Sequence, residues 1–252
     1  SATIDAERVA KALGVDRPAP ILSSDGRQHP VEIRWWPASG RDRELDHVAR
    51  SVVRALTELP SGDLLVFLPG AGEIGRVQRA LSGAVPDDVD VRPLHGSLPP
   101  AEQDRALSPS PEGRRRVVLA TDIAESSLTV DGVRVVVDAG QARSPRYDPS
   151  SGVTRLVTRL ASQASADQRA GRAGRLGPGT AIRLWLGAEH RARPRFADPE
   201  IAVVDLAGLA LELAVWGTEP ASLALPDQPP SGAWAEGVSL LRQLGALTHD
   251  GR

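Results

Sequence analysis

Short apolar runs alternate with segments whose apolar residues recur at helical spacing. Runs such as DLLVFLP and RRVVLAT are nearly continuous in Val and Leu, which is typical of strands buried on both faces of a parallel sheet. The pattern predicts strands at 31–36, 63–69, 89–94, 115–121, 133–138 and 180–186, and helices at 43–56, 73–81, 101–107 and 163–175. This alternation predicts an α/β fold with helices on both faces of the sheet.

The pattern changes in two places. At 143–160 the turn-forming stretch DPSSG is followed by the alternating run VTRLV, which predicts a β-hairpin. After about residue 195, an apolar helical pattern at 199–217 precedes a proline-rich link at 223–232 and a second helical pattern at 234–247. These segments predict a small helical module that follows the α/β domain.

Composition excludes several kinds of protein. The chain has no cysteine, so a disulfide framework and thiolate metal ligands are impossible. No apolar run reaches the roughly 18 residues of a membrane span, and the first residues do not resemble a signal peptide. We therefore expect a cytoplasmic protein with no membrane partner. The histidines lack zinc-ligand spacing, and no G-x-S-x-G motif supports a hydrolase that uses Ser126 or Ser127.

Charge is unevenly distributed although the net charge is only −2. Residues 141–195 contain eleven arginines and three acidic residues, a balance of +8, whereas residues 196–252 have a balance of −6. A basic middle between acidic flanks indicates a surface that faces a polyanion. The alternative is a solvated surface whose charges have scattered local partners.

The densest basic stretch is QRAGRAGR at 168–175, in which Arg169, Arg172 and Arg175 recur at every third position. On one continuous helix the three share a third of the circumference. Interior glycines cost about 1 kcal/mol each in a helix, but they let a backbone or a ligand approach closely. Guanidinium groups bind phosphate bidentately, so the stretch predicts an anion site. The alternative is a helix packed on the sheet with its arginines in salt bridges.

Several blocks resemble the motifs of DEAH-type superfamily 2 helicases. QRAGRAGR resembles motif VI, and ATDIAESSLTVD at 120–131 resembles motif V, with Asp122 where that family usually has Asn. LLVFLPGAGEI at 64–74 resembles motif IV, LHGSLPP resembles the segment that follows it, and SAT at the start resembles motif III. The blocks follow the family's order over nearly the whole chain. The opening SAT-x-DAERVA is similar to bacterial HrpB-type helicases.

The resemblance implies a domain organisation. Residues 1–29 would be a remnant of a first RecA-like domain, 30–195 a second RecA-like parallel-sheet domain, and 196–252 the start of a helicase-associated winged-helix module. No Walker A loop, G-x(4)-G-K-[ST], and no DEAH box occur in the sequence. We expect both upstream in a full-length relative. The chain is thus interpreted as a C-terminal helicase fragment, inactive alone, whose first 29 residues are loosely held or else require the missing half.

In this family ATP binds with Mg²⁺ between two RecA-like domains, and the metal ligands are expected in the missing first domain. By match to motif VI, Arg172 and Arg175 are arginine fingers that stabilise charge on the γ-phosphate. Gln168 would orient the attacking water or contact the γ-phosphate. For Arg169 the resemblance leaves an ion pair at the surface or between domains as an equal alternative.

The nucleoside end of the ATP site is also implied by match. Thr129 and Asp131 correspond to positions that approach the ribose, although TVDG is good turn chemistry by itself. Leu107 stands where several eukaryotic relatives have an aromatic residue that stacks on the base. An apolar contact there would discriminate bases poorly, so a loose nucleotide preference is expected.

Contacts to single-stranded RNA or DNA are implied at another edge of the domain. The matching groups are the backbone amides of Gly96 and Ser97 and the hydroxyls of Thr121 and Ser126, the last with helix capping as its alternative. Asp122 places a negative charge nearby, which would weaken a phosphate contact. Contacts to phosphate carry no sequence information, so we expect sequence-tolerant binding.

The predicted hairpin matches the β-hairpin that DEAH-type helicases insert between motifs V and VI, where it acts as a wedge near the bound strand. Arg146 and Arg155 are therefore candidates for phosphate contacts, with ordinary surface charge as the alternative. The resemblance implies part of an ATP-dependent RNA or DNA helicase. The competing hypothesis is a non-catalytic nucleic-acid-binding or regulatory remnant of one.

Overall fold

The computed structural model describes residues 5–14, 16–23, 29–40, 44–59, 61–110, 113–126, 128–148 and 151–248. The SAT stretch, Ser127, His249 and the side chain of Ser126 lie outside the described part. The helices are α1 (Ala6–Leu13), α2 (Glu44–Glu58), α3 (Ala71–Leu81), α4 (Pro100–Leu107), α5 (Ile123–Ser126), α6 (Gln163–Gly171), α7 (Gly187–Ala192), α8 (Ala207–Trp216) and α9 (Ser231–Gln243).

The strands form one large and one small sheet. They are β1 (Val31–Trp35), β2 (Asp63–Phe67), β3 (Val89–Leu94), β4 (Arg115–Ala120), β5 (Val133–Asp138), β6 (Gln141–Asp148), β7 (Val153–Leu160) and β8 (Gly179–Arg183). Six of them pair in parallel in the order β1-β8-β5-β2-β4-β3. The predicted parallel sheet is confirmed, and each predicted strand is present; two have the predicted bounds and the other four end one to three residues earlier.

Both faces of the sheet are covered, because successive strand residues point to opposite sides. Leu64 and Val66 of β2 belong to a core under α2 and α3. Leu65 and Phe67 of the same strand belong to a second core with residues of α4, α5 and α6. The near-continuous Val and Leu runs therefore reflect burial on two sides, as the sequence predicted.

The predicted hairpin is confirmed as the antiparallel pair β6–β7, in which Asp148 lies opposite Val153. The Ser151 hydroxyl donates to the Asp148 carboxylate at 2.8 Å, and the Gly152 amide donates to the Asp148 carbonyl at 2.9 Å. These bonds close the turn that DPSSG predicted, although residues 149–150 lie outside the described part.

Two predicted helices are divided in the structure, and the helix predicted at 234–247 lies at Ser231–Gln243 instead. The helix predicted at 163–175 ends at Gly171 and continues as a 3₁₀ turn, Arg172–Gly174. The helix predicted at 199–217 divides into a 3₁₀ turn, Glu200–Ala202, and α8. The Asp205 carboxylate accepts a hydrogen bond from the Ala207 amide at 2.8 Å, directly before α8. Helices α8 and α9 pack together through Ala210, Leu241 and Leu247.

Helix α1 precedes the sheet and is largely exposed. The Asp5 carboxylate caps it by accepting from the Arg8 amide at 3.2 Å. Ala10 is its one buried residue, and Arg8 forms an ion pair with Asp227. No helix in the described part of the chain is long and apolar enough to span a bilayer.

Candidate functional site

The arginine segment, residues 168–175, covers the end of α6 and the 3₁₀ turn that leads toward β8. The Ser162 hydroxyl caps α6 by accepting from the Ser165 amide at 3.1 Å. At the other end a Cβ on Gly174 would lie 2.5 Å from the His29 carbonyl oxygen, and the His29 amide donates to the Gly174 carbonyl at 2.9 Å. The expectation that glycine admits a close backbone is confirmed for Gly174.

The three arginines differ in exposure. Arg169 is only 1% exposed, Arg172 is half-buried and Arg175 is exposed. The regular helix ends at Gly171, and the 3₁₀ turn that follows keeps residues three apart on the same side, so the shared face of the three arginines stays a prediction. The segment presents one arginine to the interior, one to a loop and one to solvent.

Arg169 joins three elements of the domain. Its Nη1 donates to the Asp138 carboxylate at 2.9 Å and to the Gln141 carbonyl at 3.0 Å, and its Nε donates to the Glu125 carboxylate at 3.1 Å. Burial lowers the pKa of Arg169, but the charges of Asp138 and Glu125 outweigh burial and the net shift is upward. For Arg169, the alternative of a salt-bridged arginine packed against the sheet is the observed arrangement.

Arg172 is held against the backbone of motif V. Its Nε donates to the Glu125 carbonyl at 3.0 Å and its Nη1 donates to the Leu128 carbonyl at 3.1 Å, while Nη2 also bonds to the Glu125 carbonyl. A guanidinium has five N–H donors, so two remain. Partial burial and the neighbouring Arg175 lower the pKa of Arg172, with Glu125 opposing. Gln168 is half-buried one helical turn earlier, on the same side of α6.

The three predicted nucleoside residues lie near one another. The buried Arg116 bonds through Nη1 to the Leu107 carbonyl at 2.9 Å and through Nη2 to the Asp131 carbonyl. The side chains of Thr129 and Asp131 are exposed, whereas Leu107 is partly buried against the second core. Because Arg172 contacts the Leu128 carbonyl, the phosphate and nucleoside groups predicted from sequence adjoin one another.

The predicted strand-binding groups lie at the carboxyl ends of β3 and β4. The Thr121 amide donates to the Leu94 carbonyl at 3.2 Å, which holds the residues after these two strands together. Gly96 and Ser97 are exposed, and the Ser97 hydroxyl lies 2.8 Å from His95 Nδ1. Asp122 is exposed beside them, as the substitution for Asn predicted a charge there.

Arg146 and Arg155 lie directly opposite each other across the hairpin, and both are exposed. Like charges at such cross-strand positions destabilise a hairpin unless an anion neutralises them. The hairpin is anchored to the rest of the chain, because the Tyr147 amide donates to the Val203 carbonyl at 2.7 Å. Arg159 also forms an ion pair with Asp198 at 2.5 Å.

The sequence reasoning missed the charged residues that hold these groups in place. Glu125 and Asp138 bind Arg169, and Asp63 binds Arg116. A signal was available, since Arg116 directly precedes and Asp138 directly follows an apolar run in strands predicted to be buried. A charge in such a strand needs a partner inside the protein.

Solved structures of similar fold identify the class of protein to which this domain belongs. The crystal structure of E. coli DExH-box NTPase HrpB matches with a TM-score of 0.89 and 44% identity, over 98% of this chain and 30% of that one. The fold is therefore the RecA-like α/β fold that the resemblance implied. The model of the helicase conserved C-terminal domain matches residues 48–177, and the chain belongs to this family.

The relatives with similar sequences are also helicases. ATP-dependent RNA helicase HrpB of Escherichia coli (strain K12) is 46% identical over 248 residues, covering 98% of this chain and 30% of the relative. ATP-dependent RNA helicase HrpA of the same organism is 38% identical, over 99% of this chain and 19% of the relative. The resemblance to DEAH-type helicases of the HrpB kind is confirmed, and the chain spans less than a third of these relatives.

Proposed function

We propose that this chain is the second RecA-like motor domain of an ATP-dependent helicase that moves along single-stranded nucleic acid. In this proposal Arg172 and Arg175 stabilise the charge on the γ-phosphate, and Gln168 orients the attacking water. The observation that carries it is the anchoring of Arg172 to the Glu125 and Leu128 carbonyls, which leaves two donors unused. Such anchoring fixes a cation in advance, so little reorganisation is needed when charge develops.

The residues fit ATP but not its metal. Two arginines suit phosphate oxygens, the exposed Thr129 hydroxyl and Asp131 carboxylate suit ribose hydroxyls, and Leu107 offers an apolar surface to a base. In the described part of the chain no group of three metal-ligating side chains could hold an ion. We infer that the Mg²⁺ ligands belong to a first RecA-like domain that faces this one across the nucleotide.

Single-stranded RNA or DNA is the proposed polyanion. The exposed backbone at Gly96 and Ser97, the Thr121 hydroxyl, and the Arg146–Arg155 pair offer contacts to the sugar-phosphate backbone. None of them is a set of side chains arranged to read base edges, so binding should tolerate different sequences.

Alanine substitution of the two proposed finger arginines tests the catalytic role. In the full polypeptide that the gene encodes, Arg172→Ala or Arg175→Ala should lower kcat for RNA-stimulated ATP hydrolysis by at least about 10³-fold. Affinity for single-stranded RNA should stay nearly constant. Arg191→Ala, at an exposed position of α7, is the matched control and should hydrolyse ATP normally.

Unchanged hydrolysis in both finger variants would overturn the assignment of these arginines. Strand binding by the unsubstituted polypeptide without any ATP hydrolysis would instead favour the non-catalytic remnant. Malachite-green detection of released phosphate and fluorescence anisotropy of a labelled oligonucleotide separate these outcomes.

A further inference from the structure

A largely buried ion pair lies at the amino end of the sheet, between β2 and β4. The Arg116 side chain is 1% exposed, and its partner Asp63 opens β2. The Arg116 amide donates to one Asp63 carboxylate oxygen at 2.8 Å, and Nε donates to the other at 2.8 Å. The pair thus fixes both the position and the rotamer of the guanidinium.

The guanidinium of Arg116 also binds the carbonyl groups at the carboxyl end of helix α4. Its Nη1 donates to the carbonyls of Leu107 at 2.9 Å and Ser108 at 2.5 Å. Arg92 of β3 donates to the Ser108 carbonyl at 2.8 Å and also reaches the Arg105 carbonyl. The last carbonyls of a helix have no partner within it, and cations are favourable there. Leu107 is therefore fixed by bonds from the sheet and not by α4 alone.

Arg116 also holds the turn before β5. Its Nη2 bonds to the Asp131 carbonyl, and the Asp63 amide donates to the Gly132 carbonyl at 2.9 Å. Gly132 has a φ of 86°, and a Cβ there would lie 2.8 Å from the Asp63 carboxylate. The backbone of the turn is thus pressed onto the ion pair, while the Thr129 and Asp131 side chains stay exposed.

We propose that Arg116, oriented by Asp63, is a positioning residue for the nucleoside end of the ATP site. One guanidinium bonds to the backbone of both Leu107 and Asp131, so it sets the spacing between the proposed base contact and the proposed ribose contact. This inference rests on the proposed function. A buried ion pair is rarely the most stabilising choice for a core, but it specifies geometry, and a binding site requires defined geometry.

Arg116→Lys in the full polypeptide tests the proposal. Lysine keeps the charge beside Asp63, but a single ammonium cannot span both carbonyls. KM for ATP should rise about tenfold while kcat at saturation changes less than about twofold, because binding is lost equally in the ground and transition states. Arg115→Lys is the matched control, since Arg115 lies on the same strand but bonds to the Leu56 and Gly62 carbonyls instead.

A second readout separates positioning from general loosening. Inhibition by ADP should weaken in Arg116→Lys, whereas inhibition by inorganic tripolyphosphate, which has no nucleoside, should not. Equal weakening of both inhibitors, or an unchanged KM for ATP in a variant that unfolds at the Tm of the unsubstituted protein, would overturn the proposal. Arg172→Ala separates a failure of the proposed function from a failure of the positioning role. If Arg172→Ala abolishes hydrolysis while Arg116→Lys leaves KM unchanged, only the positioning role of Arg116 is wrong.

Discussion

Arg169 has a guanidinium that the protein encloses on every side, between the carboxylates of Asp138 and Glu125. The sequence pattern could not separate this arginine from Arg172 and Arg175, because the three recur at every third position. The difference in burial depends on the carboxylates that bind Arg169, which lie 44 and 31 residues earlier in the chain. The local sequence around Arg169 does not indicate these long-range contacts.

Substitution of Arg169 should therefore affect stability before it affects catalysis. Arg169→Met leaves two carboxylates without their common cation, and breaking a buried ion pair costs about 3–5 kcal/mol. Urea denaturation followed by circular dichroism should show this loss in the free energy of unfolding. Arg175→Met, at an exposed position, should change it by less than about 0.5 kcal/mol. Equal stability of the two variants would contradict the buried network.

Among the elements, the strands were predictable because burial on both faces leaves a nearly continuous apolar run, as in β2 and β4. The hairpin was predictable from its turn residues and its alternation. The helix predicted at 199–217 was too long, since the apolar stretch begins with a 3₁₀ turn, Glu200–Ala202, and α8 begins only at Ala207. The bond between Asp63 and Arg116 joins residues 53 apart in sequence, so no local pattern indicates it.

The exposed arginines of the hairpin predict how strand binding depends on salt. If Arg146 and Arg155 each neutralise one phosphate, Arg146→Gln or Arg155→Gln should reduce the slope of log affinity against log salt by about 0.7 for single-stranded RNA. Anisotropy titrations at several KCl concentrations measure the slope. Arg159→Gln is the hairpin control, since Arg159 pairs with Asp198 and should leave the slope nearly unchanged. Slopes identical to the unsubstituted protein in both test variants would mean that the pair is ordinary surface charge.

At the scale of the whole molecule, the basic middle of the chain is less available to a polyanion than its balance of +8 suggests. Arg143 pairs with Glu73, Arg159 with Asp198, and Arg183 with Asp167. The alternative of local acidic partners is observed for these arginines, while Arg146 and Arg155 face solvent. A charge count by segment therefore overstates the free charge of this region.

In the proposed function, one domain binds the phosphates of ATP and this chain supplies the arginine fingers, which predicts what these 252 residues do alone. The described residues offer cations for a γ-phosphate and polar groups for a ribose, yet the sequence has no Walker A loop to cradle the phosphates. An arginine finger accelerates hydrolysis only of a nucleotide that another element holds in line with water. The purified chain should therefore release no phosphate from ATP above the buffer rate, with or without RNA. It should still bind single-stranded RNA weakly, and this binding should weaken as salt rises. RNA-stimulated hydrolysis by the chain alone, abolished by Arg172→Ala, would show that its own residues form a complete nucleotide site.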